Sequence, residues 1–247
     1  MLVVEQLRKS FGDLRAVDGV SFTIQEGEIV SLVGSNGAGK TTLVNLLSGY
    51  LLPDGGHIHF LGKDITYAHP STRIRIGIGR SFQLVHLFAN LTVLDNIRTP
   101  LFSKYGKLHH WLWPADAYTE ITEEAVAIQQ LFGLLEKRNL LAKGLGEGDK
   151  KVLDIAMAFA LKSRLLLLDE PTSGVATSDK FAVMDTIVTA LRKENTSALI
   201  IEHDMDIVSN YSDRVIMMHE GRIVAEGEPE AVMENAEVQE LLFGVGL

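Results

Sequence analysis

Cysteine is missing from all 247 positions of the chain, so neither a disulfide framework nor a thiolate metal site can form, and a reducing compartment is permitted. Proline is scarce, at 6 residues, and no low-complexity tract or internal repeat is present, which excludes a disordered or repeat-built chain. Apolar runs such as LLLL at 165–168 stop far short of the roughly 18 residues that cross a bilayer. The opening MLVVEQLRKS meets Glu5 before any basic residue and has no long apolar core or small-residue cleavage site. No signal peptide is expected from it, and membrane association is expected to run through a partner protein. A block of positive charge is lacking too. The 23 lysines and arginines are dispersed against 32 acids, for a formal charge of −9, which counts against a nucleic-acid partner.

What remains is ordinary globular material, 46% hydrophobic and 22% charged, long enough for one large α/β domain or a domain with a smaller lobe. Short strands with turn residues between them fill the first sixty-odd positions: LVVEQLRKSF, AVDGVSFTI, EIVSLVG and, after PDGG, HIHFLGKDI. EIVSLVG is almost continuously apolar, as in a strand buried on both faces. GKTTLVNLLSG at 39–49 has a helical pattern that stops at a glycine. Helical periodicity also marks the segment opening at Thr92, then 117–132 and 150–163, and these are expected to form a helical lobe. The irregular stretch 103–114 carries His109, His110, Trp111 and Trp113; adjacent histidines share no helical face, so a surface insertion is favoured over a metal site. The last third alternates strands LLLLDE, SALIIEH, RVIMMHEG and RIVAEG with helices near 179–193 and 204–210, the rhythm of a parallel sheet. The tail EPEAVMENAEVQELLF reads as a final exposed helix.

The sharpest signal is GSNGAGKTT, comprising Gly34, Ser35, Asn36, Gly37, Ala38, Gly39, Lys40, Thr41 and Thr42, a match to the phosphate-binding pattern G-x-x-x-x-G-K-[ST]. Its glycines let successive backbone N–H groups face one concavity, Lys40 reaches the outer phosphates of ATP, and the Thr41 hydroxyl suits Mg2+. A strand before it and a helix after it weigh against a plain glycine turn. LLLLDE ends a buried strand with two carboxylates, Asp169 for magnesium and Glu170 to orient and polarise the attacking water. SALIIEH presents His203 at the end of a third strand, where a lone histidine is structural or catalytic according to its neighbours.

In this order GSNGAGKTT, SFQ with Gln83, a glycine-containing signature before a helix, LLLLDEP and IIEHD resemble the ABC transporter ATPases from end to end. LTVLDNI, IIEHDMDIV and GRIVAEGEP are similar to the ATPases of branched-chain amino-acid importers. The resemblance implies an α/β P-loop ATPase core with a mostly parallel sheet (1–90 and 163–225), an N-terminal antiparallel β element, an inserted helical subdomain (91–162) and a C-terminal helical tail (226–247). It implies that Phe11 stacks on adenine, that Gln83 contacts magnesium and senses the nucleotide, and that His203 reads the γ-phosphate. It implies transmembrane permease subunits docked on the helical lobe at the cytoplasmic face of the membrane, with a solute-binding protein outside as an indirect partner. A second ATPase subunit, identical or paralogous, would complete each ATP site through its signature. Here the signature is LGEGD: Gly146 replaces the family's serine, Gly148 is retained, and Asp149 puts an acid where glutamine is usual. Ala176 stands where many relatives have aspartate.

Two other readings stay open on sequence alone. One is a soluble ABC-type ATPase working on nucleic acid or ribosomes, against which the single ATPase unit and the acidic charge count. The other is a nucleotide-binding regulatory subunit with low hydrolysis, for which the altered signature is the motive.

Overall fold

A computed structural model describes residues 1–81, 87–107 and 118–243, with backbone alone for the last two. Gln83 and the histidines and tryptophans of 109–113 lie outside the described residues.

Two sheets organise the chain. The first holds β1 (Leu2–Phe11), β2 (Leu14–Ile24), β4 (Gly55–Phe60) and β5 (Lys63–Asp64) in the order β2-β1-β4-β5, antiparallel throughout. Leu2, Val4, Leu7, Phe22, Ile24, Ile58 and Phe60 turn into one core. The second sheet holds β3 (Ile29–Val33), β6 (Ile78–Arg80), β7 (Leu165–Asp169), β8 (Ser197–Ile201), β9 (Arg214–His219) and β10 (Arg222–Gly227), in the order β10-β9-β3-β8-β7-β6. Strands β3, β7 and β8 are buried along their whole length, as their unbroken aliphatic runs require of parallel strands covered on both faces. The parallel rhythm ends at β9. The turn at Glu220 and Gly221, both at positive φ, folds β10 back antiparallel on β9.

The helix α1 (Lys40–Ser48) follows β3, and α6 (Lys180–Lys193) and α7 (Met205–Tyr211) return the chain around β8. A second group, α3 (Val93–Lys104), α4 (Thr119–Leu131) and α5 (Glu147–Ala160), packs Ile97, Leu101, Ile121, Ala125, Leu153 and Ala156 together. Thr92 starts α3 as its pattern predicts, its Oγ1 accepting from Asp95 N at 3.1 Å.

Sequence reading misses one short helix and β6, and misjudges the tail. The short α2 (Pro70–Ile76) is capped by His69 and stopped by Gly77, and it leads into β6. It carries Arg73, wholly buried, which donates to the Leu46 and Leu47 carbonyls at 2.7 and 2.9 Å and to those of Thr66 and Ala68 at 2.9 and 3.0 Å. The guanidinium thereby engages two carbonyls of the last turn of α1, of which that of Leu46 also accepts from Gly49 N at 3.2 Å; burial lowers its pKa to about 10. The tail is two helices and not the single exposed one expected, α8 (Pro229–Met233) and α9 (Ala236–Phe243). Asn235 separates them, its Oδ1 accepting from Glu237 N at 2.9 Å as a cap. Val232 and Val238 are buried against Val208, Val215 and Met217.

Candidate active site

The three predicted signals converge because β8 lies between β3 and β7, so the loop after β3, the carboxylates after β7 and the histidine after β8 share one end of the sheet. Between them opens a cleft of about 540 Å³, lined by Phe11, the loop from Asn36 to Thr42, Glu170 and His203. Phe11, half-exposed at the end of β1, forms one wall with Leu14, Arg15 and Ala16.

The loop is shaped by contacts that only glycine allows. Gly34 has φ 148° and Gly39 φ 103°. A Cβ on Gly34 would overlap the Met218 carbonyl of β9, and one on Gly39 would overlap the Ala16 carbonyl of β2. Lys40 is 6% exposed and donates to the carbonyls of Gly34 and Ser35 at 2.7 and 3.0 Å. Burial lowers its pKa, while Glu170 and Asp169 pull it upward.

Of the two carboxylates at the end of β7 only Glu170 lines the cleft; Asp169 is buried behind it, and its pKa is raised, by burial first and by Glu170 after the opposing pull of Arg80. Glu170 holds φ 50°, a left-handed conformation that a non-glycine residue keeps only when its surroundings impose it. Its Oε1 lies 3.0 Å from His203 Nε2, so the catalytic and switch candidates are in direct contact.

Gly146 and Gly148 are not among the residues lining this cleft; they stand at the start of α5. Asp149 is engaged on both oxygens by Lys137 Nζ at 2.6 Å. The acid is thus half of an ion pair.

Three residues that sequence reading missed serve the site. Arg80, largely covered and 3.6 Å from Asp169, also donates to Asn45 Oδ1 at 2.6 Å and Ser48 Oγ at 3.1 Å. Lys151 of α5 donates to the Glu170 carbonyl at 3.4 Å. Glu202, 3% exposed, accepts from Thr172 and His203. Only Lys151 carried a signal, a charge in an otherwise apolar 151, 155, 158 spacing.

Magnesium fits the donor set by chemistry: Thr41 and Asp169 offer the hard oxygens that this ion takes. No cluster of three His, Asp or Glu side chains able to hold a metal exists among the described residues. Phosphate oxygens and water would have to complete the coordination shell, as is usual for this ion.

Known proteins with the same features bear on these residues. The ABC transporter family model matches residues 17–173. A high-affinity branched-chain amino acid transport ATP-binding protein, LivG, from Salmonella typhimurium is 36% identical, covering 99% of this chain and 98% of its own. A probable protein of the same name from Archaeoglobus fulgidus is 34% identical, with 99% and 95% covered. Among solved structures, an ABC transporter's ATP-binding cassette in its ADP conformation superposes with a TM-score of 0.87 at 32% identity, covering 99% of both chains. A nucleotide-free cassette gives 0.85 at 31% identity, covering 100% and 99%. With its phosphate loop, Glu170 and His203 set around one cleft, the chain belongs to the ABC transporter family as an ATP-binding cassette with the P-loop ATPase fold.

Proposed function

We propose that this chain hydrolyses ATP to drive uptake of branched-chain amino acids or a similar small solute through a separate permease, working at the cytoplasmic face of the membrane. The observation that carries the hydrolytic part is the contact of Glu170 with His203 across from Lys40. The solute is suggested by the names of the relatives. No helix among the described residues is long and apolar enough to cross a membrane, which accords with a permease built from other chains. A second ATPase subunit would complete each site through the Gly146–Gly148 signature, and a solute-binding protein would act on the permease from outside.

In this reading the loop amides and Lys40 hold the β- and γ-phosphates, Lys40 exchanging its two carbonyl acceptors for phosphate oxygens. Phe11 packs on the adenine. Glu170 orients a water and takes up its proton as the oxygen attacks the γ-phosphorus in line and the bond to the β-phosphate oxygen breaks, giving ADP and phosphate. His203 holds Glu170 on one side and faces the γ-phosphate position on the other. Thr41, Asp169 and Gln83 would hold Mg2+, which neutralises charge on the transferring group.

Glu170→Gln should retain ATP binding while turnover falls by about 10²- to 10⁴-fold, the range for a lost general base. Nucleotide titration and phosphate release on the same preparation test it. Near-normal turnover would remove Glu170 from this role.

A further inference from the structure

We infer that Glu202 is a positioning residue for hydrolysis, fixing the turn that carries Glu170 to the strand end that carries His203; this rests on the hydrolytic reading of those two residues. Glu202 follows β8 and precedes His203 directly. Its Oε1 accepts from Thr172 N at 3.2 Å and Thr172 Oγ1 at 2.7 Å, and its Oε2 accepts from His203 N at 3.2 Å. Glu202 and Thr172 are 3% and 2% exposed, and neither lines the nucleotide cleft. The carboxylate therefore acts through its neighbours and not on the substrate.

What needs holding is the backbone of Glu170. Its left-handed φ of 50° lets the chain turn sharply out of β7, so that the side chain reaches His203 Nε2. Backbone bonds restrain both sides of the residue, Glu170 N to the Ile201 carbonyl at 3.0 Å and Ser173 N to the Glu170 carbonyl at 3.1 Å. Neither fixes Thr172 to the segment bearing His203. The Glu202 carboxylate does so, with one oxygen on each side of the gap. Removing it would strip an acceptor from two backbone N–H groups and a buried hydroxyl, and would let the turn relax toward an ordinary conformation. Displacing a reacting group by about 1 Å is enough to cost on the order of 100-fold in rate.

Glu202→Gln keeps the volume of the side chain but not its acceptors. Whichever way the amide is turned, either Thr172 N–H or His203 N–H faces an NH2 group and goes unpaired. The expected result, measured on the full chain with MgATP, is a kcat roughly 10- to 100-fold lower, with KM and nucleotide affinity held within about two-fold. Thr172→Val should lower kcat in the same sense, and Thr172→Ser, which keeps the hydroxyl, should restore it. A Glu202→Gln protein with kcat within about two-fold of the parent overturns the inference, as does a loss shared equally by kcat, affinity and thermal midpoint. If Glu202→Gln does not fold, equal kcat for Thr172→Val and Thr172→Ser overturns it. Failure of the underlying reading shows separately, as an active Glu170→Gln protein.

Discussion

Arg80 shows how a site residue can be decisive without belonging to any motif. Its guanidinium sits beside Asp169 while donating to Asn45 and Ser48, and Tyr50 lies under it at 5.5 Å. Burial pushes its pKa down, and the nearby Asp169 opposes that shift. Removing one member of such a buried pair leaves the other charge uncompensated. Arg80→Ala is expected to lower the stability of the nucleotide-free chain by about 3–5 kcal/mol, with part of the loss recovered in MgATP through binding to the folded state. Urea unfolding with and without MgATP checks both statements. The placing of Lys40 at the start of α1 and of Asp169, Glu170 and His203 at strand ends was legible because each lies in a contiguous string of residue types. Arg80 and Glu202 were not, because their partners lie up to 89 and 30 residues away and packing alone brings them together.

At the scale of elements, the buried strands β3, β7 and β8 were readable from aliphatic runs, and α1, α3 and α6 from periodicity and caps. The helix α2 was not, since its seven residues expose most of their faces and its anchor is the buried arginine. The pairing of β9 with β3 depends on a similar polar fastening. Asp213, just before β9, accepts from Ile29 N at 2.8 Å and from both terminal nitrogens of Arg192, at 3.0 and 2.7 Å. Burial raises the pKa of this half-exposed carboxyl, but Arg192 and the Ile29 amide outweigh it, and the net shift is below the ordinary value of 3.8. A depressed acid stabilises the fold fully above its unfolded pKa and loses that contribution as pH falls through the folded one. Asp213→Asn should therefore lower the thermal midpoint by roughly 1–3 °C near neutral pH, discounted for exposure. The difference from the parent should close only below about pH 3.8. Midpoints measured across a pH series decide it.

For the whole molecule, association is the property that the altered signature would govern in the proposed pair of ATPase subunits. Gly146 supplies no hydroxyl to a partner's γ-phosphate, whereas the negative charge of Asp149 is already met by Lys137. In a Glu170→Gln background, Gly146→Ser is expected to tighten ATP-dependent dimerisation by about 1.5–3 kcal/mol, the worth of one hydrogen bond to a charged group. Asp149→Gln should add little. Light scattering with and without MgATP measures both, and an equal gain from each change would show that the Lys137 pair leaves the interface field unaltered. The outline of two sheets and a helical group was legible in the sequence, but the seating of one part on another was not. Residues 16, 34–39 and 218 meet only in space, where the Ala16 and Met218 carbonyls press on Gly39 and Gly34. A loop gripped from both sides, with Lys40 resting on its own carbonyls, is a seat already set. Ordering of this loop is therefore no part of the cost of nucleotide capture, and differences in affinity among related ligands are expected in how slowly each departs.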